Sequence, residues 1–562
     1  MTSVPIGLPT LLLLAGALAC AADVTPRVLS ARAFGAIGDG VTDDGPAIGR
    51  LLAAAAAVHG PVRLQFAAGK TYSVRTAASR YVFPLAGMSD LTLDGGGSTF
   101  ILDPYLRFLS LRDCTRVLVR GLNVDFSPLP FVDATVIGVD AAGRRLQVRV
   151  AEGRRIPVGE PTGEDGEQAF FSMLWHEGPY GPLSRHYWTE RIEPGDAADR
   201  AWVYATEGCD GFEQVLAGEW RISLPVPGIA HRYGPGPCFA MVDNDTVTME
   251  DVELWSAPWF GFEVARNRGS VTFRRVSIRA KPESGRLMSV WRDGFHVKGN
   301  SASLLWEDCV LAGMNDDAFN ISTHCSELQR VLAPTQIEVR QRFPLLPIPW
   351  HAGATLTAAD EPAGRLLGTA RILSAEPGPE PEPIQGQPAA PMWTLTLEAP
   401  IPGLGEGTML WDAARCNPDT TLRRCRIEMS CRMQSPVRLE ACDVRALLWF
   451  YCEHVEGGFP HHVRLERCVL RRGRGNPAHA VVFSGGPSGH AASPQAGAVP
   501  RAIHDIVLSG NEVWGGLVVE GTEGARLTGN RLLESGAPLV LSGNHGLVWE
   551  GNTGPDGEMV SR

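Results

Sequence analysis

A short phrase recurs along this chain: an alternating apolar strand, two polar residues, then a residue of buried type. Three copies are VTMEDVEL ending at Leu254, VTFRRVSI ending at Ile278 and LLWEDCVL ending at Leu311. Later copies are LRRCRI around Cys425, VRLEACDV around Cys442, VRLERCVL around Cys468, VLSGNEV around Asn511, LTGNRL around Asn530 and VWEGN ending at Asn552. Earlier ones are LTLDGG near Asp94 and VLVRGLNV around Leu122. Equivalent positions lie 24 residues apart from Val252 to Val276, 26 from Cys442 to Cys468, 19 from Asn511 to Asn530 and 22 from Asn530 to Asn552. A period near twenty with one β phrase per repeat is the mark of a solenoid, because a single coil cannot bury its own apolar face and stacking supplies the partner. The expected fold is all-β: a right-handed parallel β-helix. Cys309, Cys425, Cys442 and Cys468 then read as small core residues in one interior ladder rather than as disulfides, and the late asparagines as hydrogen-bonding along the stack.

Two gaps break the period, 130 residues from Leu122 to Val252 and 116 from Cys309 to Cys425. Each holds more chain than one coil needs, so each is expected to carry an inserted small β-barrel-like domain. Thr135–Val139 with Leu146–Val150, and Thr369–Leu373 with Trp393–Leu397, read as antiparallel pairs inside them. Glu376–Pro391 and Gly485–Pro500 read as loops. The segment Phe34 to Asp44 leads into a short capping helix, with Asp43 or Asp44 as N-cap and Pro46 in its first turn. The chain therefore divides into a signal peptide (1–22), an N-terminal β-helix part with its cap (23–127), a first insert (128–235), central coils (236–324), a second insert (325–412) and C-terminal coils (413–562).

The apolar run Leu11–Ala19 followed by small residues has the length of a secretory signal and not of a membrane span, which implies a secreted or periplasmic protein with no transmembrane segment. Cys20 after Ala17-Leu18-Ala19 leaves lipid anchoring open as the weaker alternative. With 51 Lys+Arg against 62 Asp+Glu and no basic tract, nucleic acid is not an expected partner. Inserts of this kind leave a homodimer open.

After the repeat phrase, three coils carry a second strand of one pattern: Gly261-Phe262-Glu263-Val264, Gly294-Phe295-His296-Val297 and Ala318-Phe319-Asn320-Ile321. One residue before each Gly or Ala stand Phe260, Asp293 and Asp317, so the two aspartates share a station on adjacent turns, about 4.8 Å apart. Asp316 is beside them in sequence. Three carboxylates this close repel, and at least one should hold a proton above its usual pKa, as a general acid must. A DD pair alone is often only a turn; the register with Asp293 argues otherwise. His296 and Asn320 should face outward beside Glu263 and serve substrate binding. Arg292, Lys298 and Trp259, with Trp255 and Trp291, are further wall candidates. Asp243-Asn244-Asp245 has too few ligands for calcium and reads as a turn. No metal and no cofactor is expected.

The phrase GAxGDGxxDD at Gly35–Asp44 resembles the opening segment of the pectate-lyase and polygalacturonase-like β-helix superfamily. Asp293-Gly294 followed by Asp316-Asp317 on the next coil resembles the polygalacturonase pattern. The fuller phrases Asp293-Gly294-Phe295-His296 and Asp316-Asp317-Ala318-Phe319-Asn320, with two inserts, resemble the β-helical α-1,3-galactosidases. The polygalacturonase Gly-His-Gly and Arg-Ile-Lys motifs are absent after Asp317, and Ser322-Thr323, with His324 following, stand where the galactosidase pattern has His-Gly. These resemblances imply an inverting glycoside hydrolase acting on a galactoside or related glycan, with Asp316 as general acid and Asp293 with Asp317 as the pair that holds and activates water. An inverting pair needs about 6.5–9.5 Å between acid and base carboxyls. The alternatives are a polysaccharide lyase acting on a uronate polymer, which needs a basic residue such as Lys281 or Lys298, and a non-catalytic carbohydrate-binding β-helix.

Overall fold

The computed structural model describes residues 25–151, 156–158, 170–178, 181–207, 209, 215–226, 236–342, 347, 349–378, 390–452, 456–474, 478–487 and 501–561. The expected signal at 1–22, including Cys20, lies outside them. The solenoid is a parallel β-helix. One ladder runs from Arg27–Ser30 through Val62–Gln65, Ser89–Leu102, Thr115–Phe126, Asp245–Leu254, Arg268–Ile278 and Ser303–Glu307 to Val548–Glu550. The longer of these strands bend at mid-length and continue into a second ladder. A separate sheet of eleven strands, from Tyr81–Ala86 to Leu539–Ser542, closes each coil.

The recurring phrase is the bend. The second of its two polar residues takes left-handed backbone, with φ of 54° at Asp251, 51° at Arg275, 56° at Asp308 and 54° at Arg467, and glycine takes over at Gly510 (62°) and Gly529 (63°). That conformation costs a side-chain-bearing residue about 1–2 kcal/mol, and the exposed corner residues meet ionic partners along the stack: Arg275 pairs with Asp251 at 2.6 Å and Arg424 with Asp308 at 2.8 Å. The next residue points inward. Val252, Val276, Cys309, Cys425, Cys442 and Cys468 are all buried there, and the four cysteines are free thiols. Cys309 Sγ donates to Phe273 O at 3.5 Å and Cys442 Sγ to Leu422 O at 3.4 Å, so the ladder is core, as expected.

Asparagines continue that ladder. Asn511 Nδ2 donates to Asn530 Oδ1 at 2.9 Å, and Asn530 Nδ2 to Asn552 Oδ1 at 2.9 Å. A second series, which the repeat phrase does not contain, sits at another corner: Asn244, Asn267 and Asn300 each pass Nδ2–H to the Oδ1 of the next, and the series ends at Asn417, which donates to Ser322 O and Ser435 Oγ. It absorbs the acidic turn at 243–245, whose Asp243 pairs with Arg266.

Both inserts are closed six-stranded barrels, spanning Phe131–Asp140 to Arg221–Pro225 and Ser326–Ala333 to Met409–Asp412. Leu146 pairs with Val139 and Ile372 with Leu397, the antiparallel pairings expected from sequence. Each barrel has its own apolar centre, around Val136, Leu146 and Val203 in the first and Leu328, Leu356 and Leu395 in the second. The expected loops are shorter than read: Glu376 and Pro377 end the strand Arg365–Pro377, and Gly485–Pro487 end His479–Pro487, with 379–389 and 488–500 outside the described residues. The helix is Gly45–Ala56, and Asp44 occupies its N-cap position without capping it. Its carboxylate turns back to accept from Ile37 N at 2.7 Å, while Asp43 Oδ1 accepts from Gly45 N at 3.1 Å. Among the described residues no helix is long and apolar enough to cross a membrane.

Asn530 is buried and bridges three coils, giving Nδ2–H bonds to Leu508 O at 3.0 Å and to Asn552, and accepting from Asn511. Asn530→Ala should lower unfolding free energy by about 2–4 kcal/mol, since each orphaned buried polar group costs roughly 1–3. Urea unfolding midpoints measure this; a loss under about 1 kcal/mol would mean the ladder is not a stabilising element.

Candidate active site

Three consecutive rungs of the eleven-stranded sheet, Phe262–Ala265, Phe295–Lys298 and Phe319–Ser322, stack Phe262, Phe295 and Phe319 inside the solenoid at ring-centroid distances of 4.7 and 5.3 Å. Alternation then sends Glu263, His296 and Asn320 to the opposite face, where they pair in register. Just before these strands, Gly261 N donates to Asp293 O at 2.9 Å and Gly294 N to Asp317 O at 2.8 Å. Asp293 and Asp317 therefore do occupy one station on neighbouring coils. Gly294 permits the close approach, since a Cβ there would stand 2.9 Å from Ala318 O.

Carboxylate oxygens of Asp293, Asp316 and Asp317 all lie within 4.8 Å of one another. This is tighter than the spacing expected of an acid and base flanking a substrate and a water. Asp293 and Asp317 are buried and Asp316 is half-buried. The three differ in their partners. Asp317 accepts from Ser430 Oγ at 2.6 Å and Arg432 Nε at 2.5 Å. Asp316 Oδ2 lies 3.4 Å from Arg292 Nη1. Asp293 Oδ1 is buried with no hydrogen-bond partner among the described residues. Burial, then the charges of Asp316 and Asp317, push the Asp293 carboxyl well above its ordinary range. Burial also raises Asp317, opposed by Arg432. Oxygens this close would suit a hard cation, but arginines already stand against two of the three carboxylates.

Beside the trio lies a buried polar network. Lys298 Nζ donates to Asn320 Oδ1 at 2.7 Å and Ser322 Oγ at 2.6 Å and lies 3.3 Å from Glu456 Oε2. Asn320 Nδ2 donates to Glu456 Oε1 at 3.1 Å. His296 stacks on Phe260 at 4.8 Å, and its Nε2 lies 3.8 Å from Glu456 Oε1. Burial first and Lys298 second lower the His296 pKa to about 4, so the ring is neutral at pH 7. Burial raises Glu263, on the rung before, to about 7. Burial would raise Glu456 too, but Lys298 and Arg432 hold it well below the usual range.

The structure thus brings Asp293, Asp316, Asp317, Arg292, His296, Asn320 and Lys298 together. His296 and Asn320 face outward as expected but are covered, not exposed. Lys298, a wall candidate from sequence, is bonded to Asn320 and Ser322 and lies against Glu456; the cation on Asp317 is Arg432. Trp259 is buried, 5.4 Å from the Arg292 guanidinium, and Trp291 is wholly core. Trp255 turns its indole N–H to Glu253 and carries Lys281 over its ring. Sequence reading missed Arg432, Ser430 and Glu456. For the first two a signal exists: Ser430-Cys431-Arg432-Met433 continues the three-rung pattern after the second insert, and Asn320 pairs with Arg432. Glu456 lies outside the ladder and carries no pattern.

No family model matches the chain. The chain is similar to curated α-1,3-galactosidases. It is 22% identical over 358 residues to α-1,3-galactosidase B of Bacteroides thetaiotaomicron, covering 62% of this chain and 55% of that protein. It is 25% identical over 372 residues to α-1,3-galactosidase A of Streptomyces avermitilis, covering 58% and 57%. The chain thus spans a little over half the length of these relatives. Among solved structures, the catalytic unit of a GH87 α-1,3-glucanase from Streptomyces thermodiastaticus aligns over 94% of this chain and 69% of its own at 10% identity, with a TM-score of 0.36.

A carboxyl raised by the fold favours the native state below its unfolded pKa, near 3.9, and that advantage is lost as pH rises through the folded value. Asp293→Asn removes the penalty of ionising the buried group. The difference in melting temperature, variant minus wild type, should grow as pH rises from about 4 and level off above the folded pKa of Asp293. A pH-independent difference in thermal unfolding would mean that Asp293 carries no stored proton.

Proposed function

We propose that the chain is an exported glycoside hydrolase that cleaves a galactoside or related glycan with Asp293, Asp316 and Asp317. The observation that carries this reading is the asymmetry within the trio: Asp293 is buried, its Oδ1 has no hydrogen-bond partner among the described residues and its carboxyl is raised well above the ordinary range, Asp317 accepts from Ser430 and Arg432, and Asp316 is partly open to solvent. Such a cluster is costly to a fold and has the acid and base states that hydrolysis needs side by side. The similarity to proteins named α-1,3-galactosidase supports the substrate class, and the apolar leader at 1–22 supports export.

In this reading Asp316, the most accessible of the three, delivers a proton to the leaving oxygen as the glycosidic C–O bond breaks and its electron pair passes to that oxygen. The trio titrates as a coupled unit, so Asp293 supplies the stored proton. Water held by the Asp293–Asp317 pair attacks the anomeric carbon, and its proton returns to the trio, leaving the proton count unchanged. His296 and Asn320 stand on the same face as neutral groups, both covered, with Asn320 bonded to Lys298 and Glu456; Arg292 borders Asp316 and has Trp259 beside its guanidinium.

The spacing of the nearest oxygens admits a second reading of stereochemistry. One oxygen of each carboxyl lies within 4.8 Å of the others, which leaves room for the roughly 5–5.5 Å between carboxyl groups of a retaining pair, in which one carboxylate is the nucleophile. Inversion is supported by the resemblance and by two carboxyls on one station, Asp293 and Asp317, which can share a water. A lyase has less support, because Lys298 is committed to three partners and Lys281 sits over Trp255.

Asp316→Asn should lower kcat on a neutral galactoside by about 10²–10⁴-fold, the range for loss of a general acid, with KM little changed. Proton NMR of the first-formed sugar should show the inverted anomer. Full activity in Asp316→Asn removes it as the acid, and a retained anomer replaces the water nucleophile with a carboxylate.

A further inference from the structure

Lys298 and Arg432 form a carboxylate-binding pair beside the trio. Arginine offers a planar fork and lysine a point charge, the combination that recognises an acidic group. In this chain the pair already holds a carboxylate of its own. Glu456 Oε2 lies 3.3 Å from Lys298 Nζ and 3.9 Å from Arg432 Nη1 and accepts from Gln434 Nε2 at 3.5 Å. Its Oε1 accepts from Asn320 Nδ2 at 3.1 Å. These donors come from three successive rungs, whereas Glu456 comes from the connection after the next strand, Leu448–Cys452. It lies across the ladder as a ligand would.

We propose that Glu456 determines specificity by occupying the anion position next to the catalytic carboxylates, so that the site admits neutral sugars and rejects uronates. This rests on the glycoside-hydrolase reading above and names its substrate class. Charge balance makes the discrimination. Among the described residues of this site, Arg292, Lys298 and Arg432 face Asp316, Asp317 and Glu456, while His296 is neutral and the raised carboxyls of Asp293 and Glu263 add acid groups and no cation. A uronate would add a fourth anion with no cation left to meet it, which a buried site tolerates poorly. A site made for uronates would leave Lys298 and Arg432 open. The same arrangement accounts for a polygalacturonase-like aspartate pattern standing in a chain that lacks that family's later basic motif.

The test compares binding of two neutral sugars with their uronates, galactose with galacturonate and glucose with glucuronate. It uses calorimetry at pH 7 on the wild type, Glu456→Gln and Glu456→Ala, with melting temperatures recorded alongside. Wild type should prefer the neutral member of a pair. The neutral-to-acid affinity ratio should fall by roughly tenfold or more in Glu456→Ala and move the same way in Glu456→Gln, which removes the charge and keeps the shape. A merely structural ion pair would weaken both members in parallel, so an unmoved ratio in either folded variant overturns the proposal. Tighter binding of a uronate by the wild type overturns it without any variant, as does binding of none of the four. Galactoside hydrolysis by the wild type is assayed separately. Turnover with an unmoved ratio defeats this inference alone, and no turnover with a moved ratio defeats only the hydrolase reading.

Discussion

Backbone hydrogen bonds from coil to coil, Gly261 N to Asp293 O and Gly294 N to Asp317 O, set which side chains of successive rungs meet in the site. Parallel strands repeat at about 4.8 Å, so residues at one station on neighbouring coils meet whether or not their chemistry is compatible. In several ladders of this solenoid compatibility comes from likeness: phenylalanine on phenylalanine, thiol on thiol, asparagine on asparagine. At the station of Asp293 and Asp317 likeness is the difficulty, since two carboxylates are pressed together out of water. The register cannot relax without displacing the apolar ladder beneath it, and the cluster is resolved by chemistry instead: one carboxyl raised well above its ordinary range and arginines beside the others.

The neighbouring rungs follow the same logic with mixed charges. Glu263, His296, Asn320 and Arg432 stand in one row, so an acid, a neutral ring, an amide and a guanidinium succeed one another along the face that carries the trio. Lys298 is two residues along from His296 and would be an unpaired buried ammonium if Glu456 did not meet it. A buried cation without its partner costs several kcal/mol. Fold stability and the polarity of the candidate substrate site are therefore coupled through one carboxylate that belongs to neither ladder.

Much of this was legible in the sequence because a solenoid turns spacing into contact. Counting placed Cys309, Cys425, Cys442 and Cys468 in one interior line, placed Asp293 over Asp317, and located both barrels as interruptions of the period. Counting failed where the period was interrupted: Arg432 follows the second insert, and Ser430-Cys431-Arg432-Met433 lacks the phenylalanine that marks the three rungs before it. It failed again at Asp44, which sits at the N-cap position but turns its carboxylate to Ile37 and Gly38, because turn partners depend on where a loop folds back and not on position alone.

The sequence by itself determined the repeat, the register and hence which carboxylates meet, since these follow from a strand's two-residue alternation and from the distance between equivalent positions. Only the tertiary structure decided how their charge is balanced. Asp317 is held by Arg432, reached across an insert of about a hundred residues, and Lys298 is claimed by Glu456, which lies outside the repeat. Electrostatic compensation acts through space between side chains with no common period, so it leaves no mark in the spacing of residues along the chain.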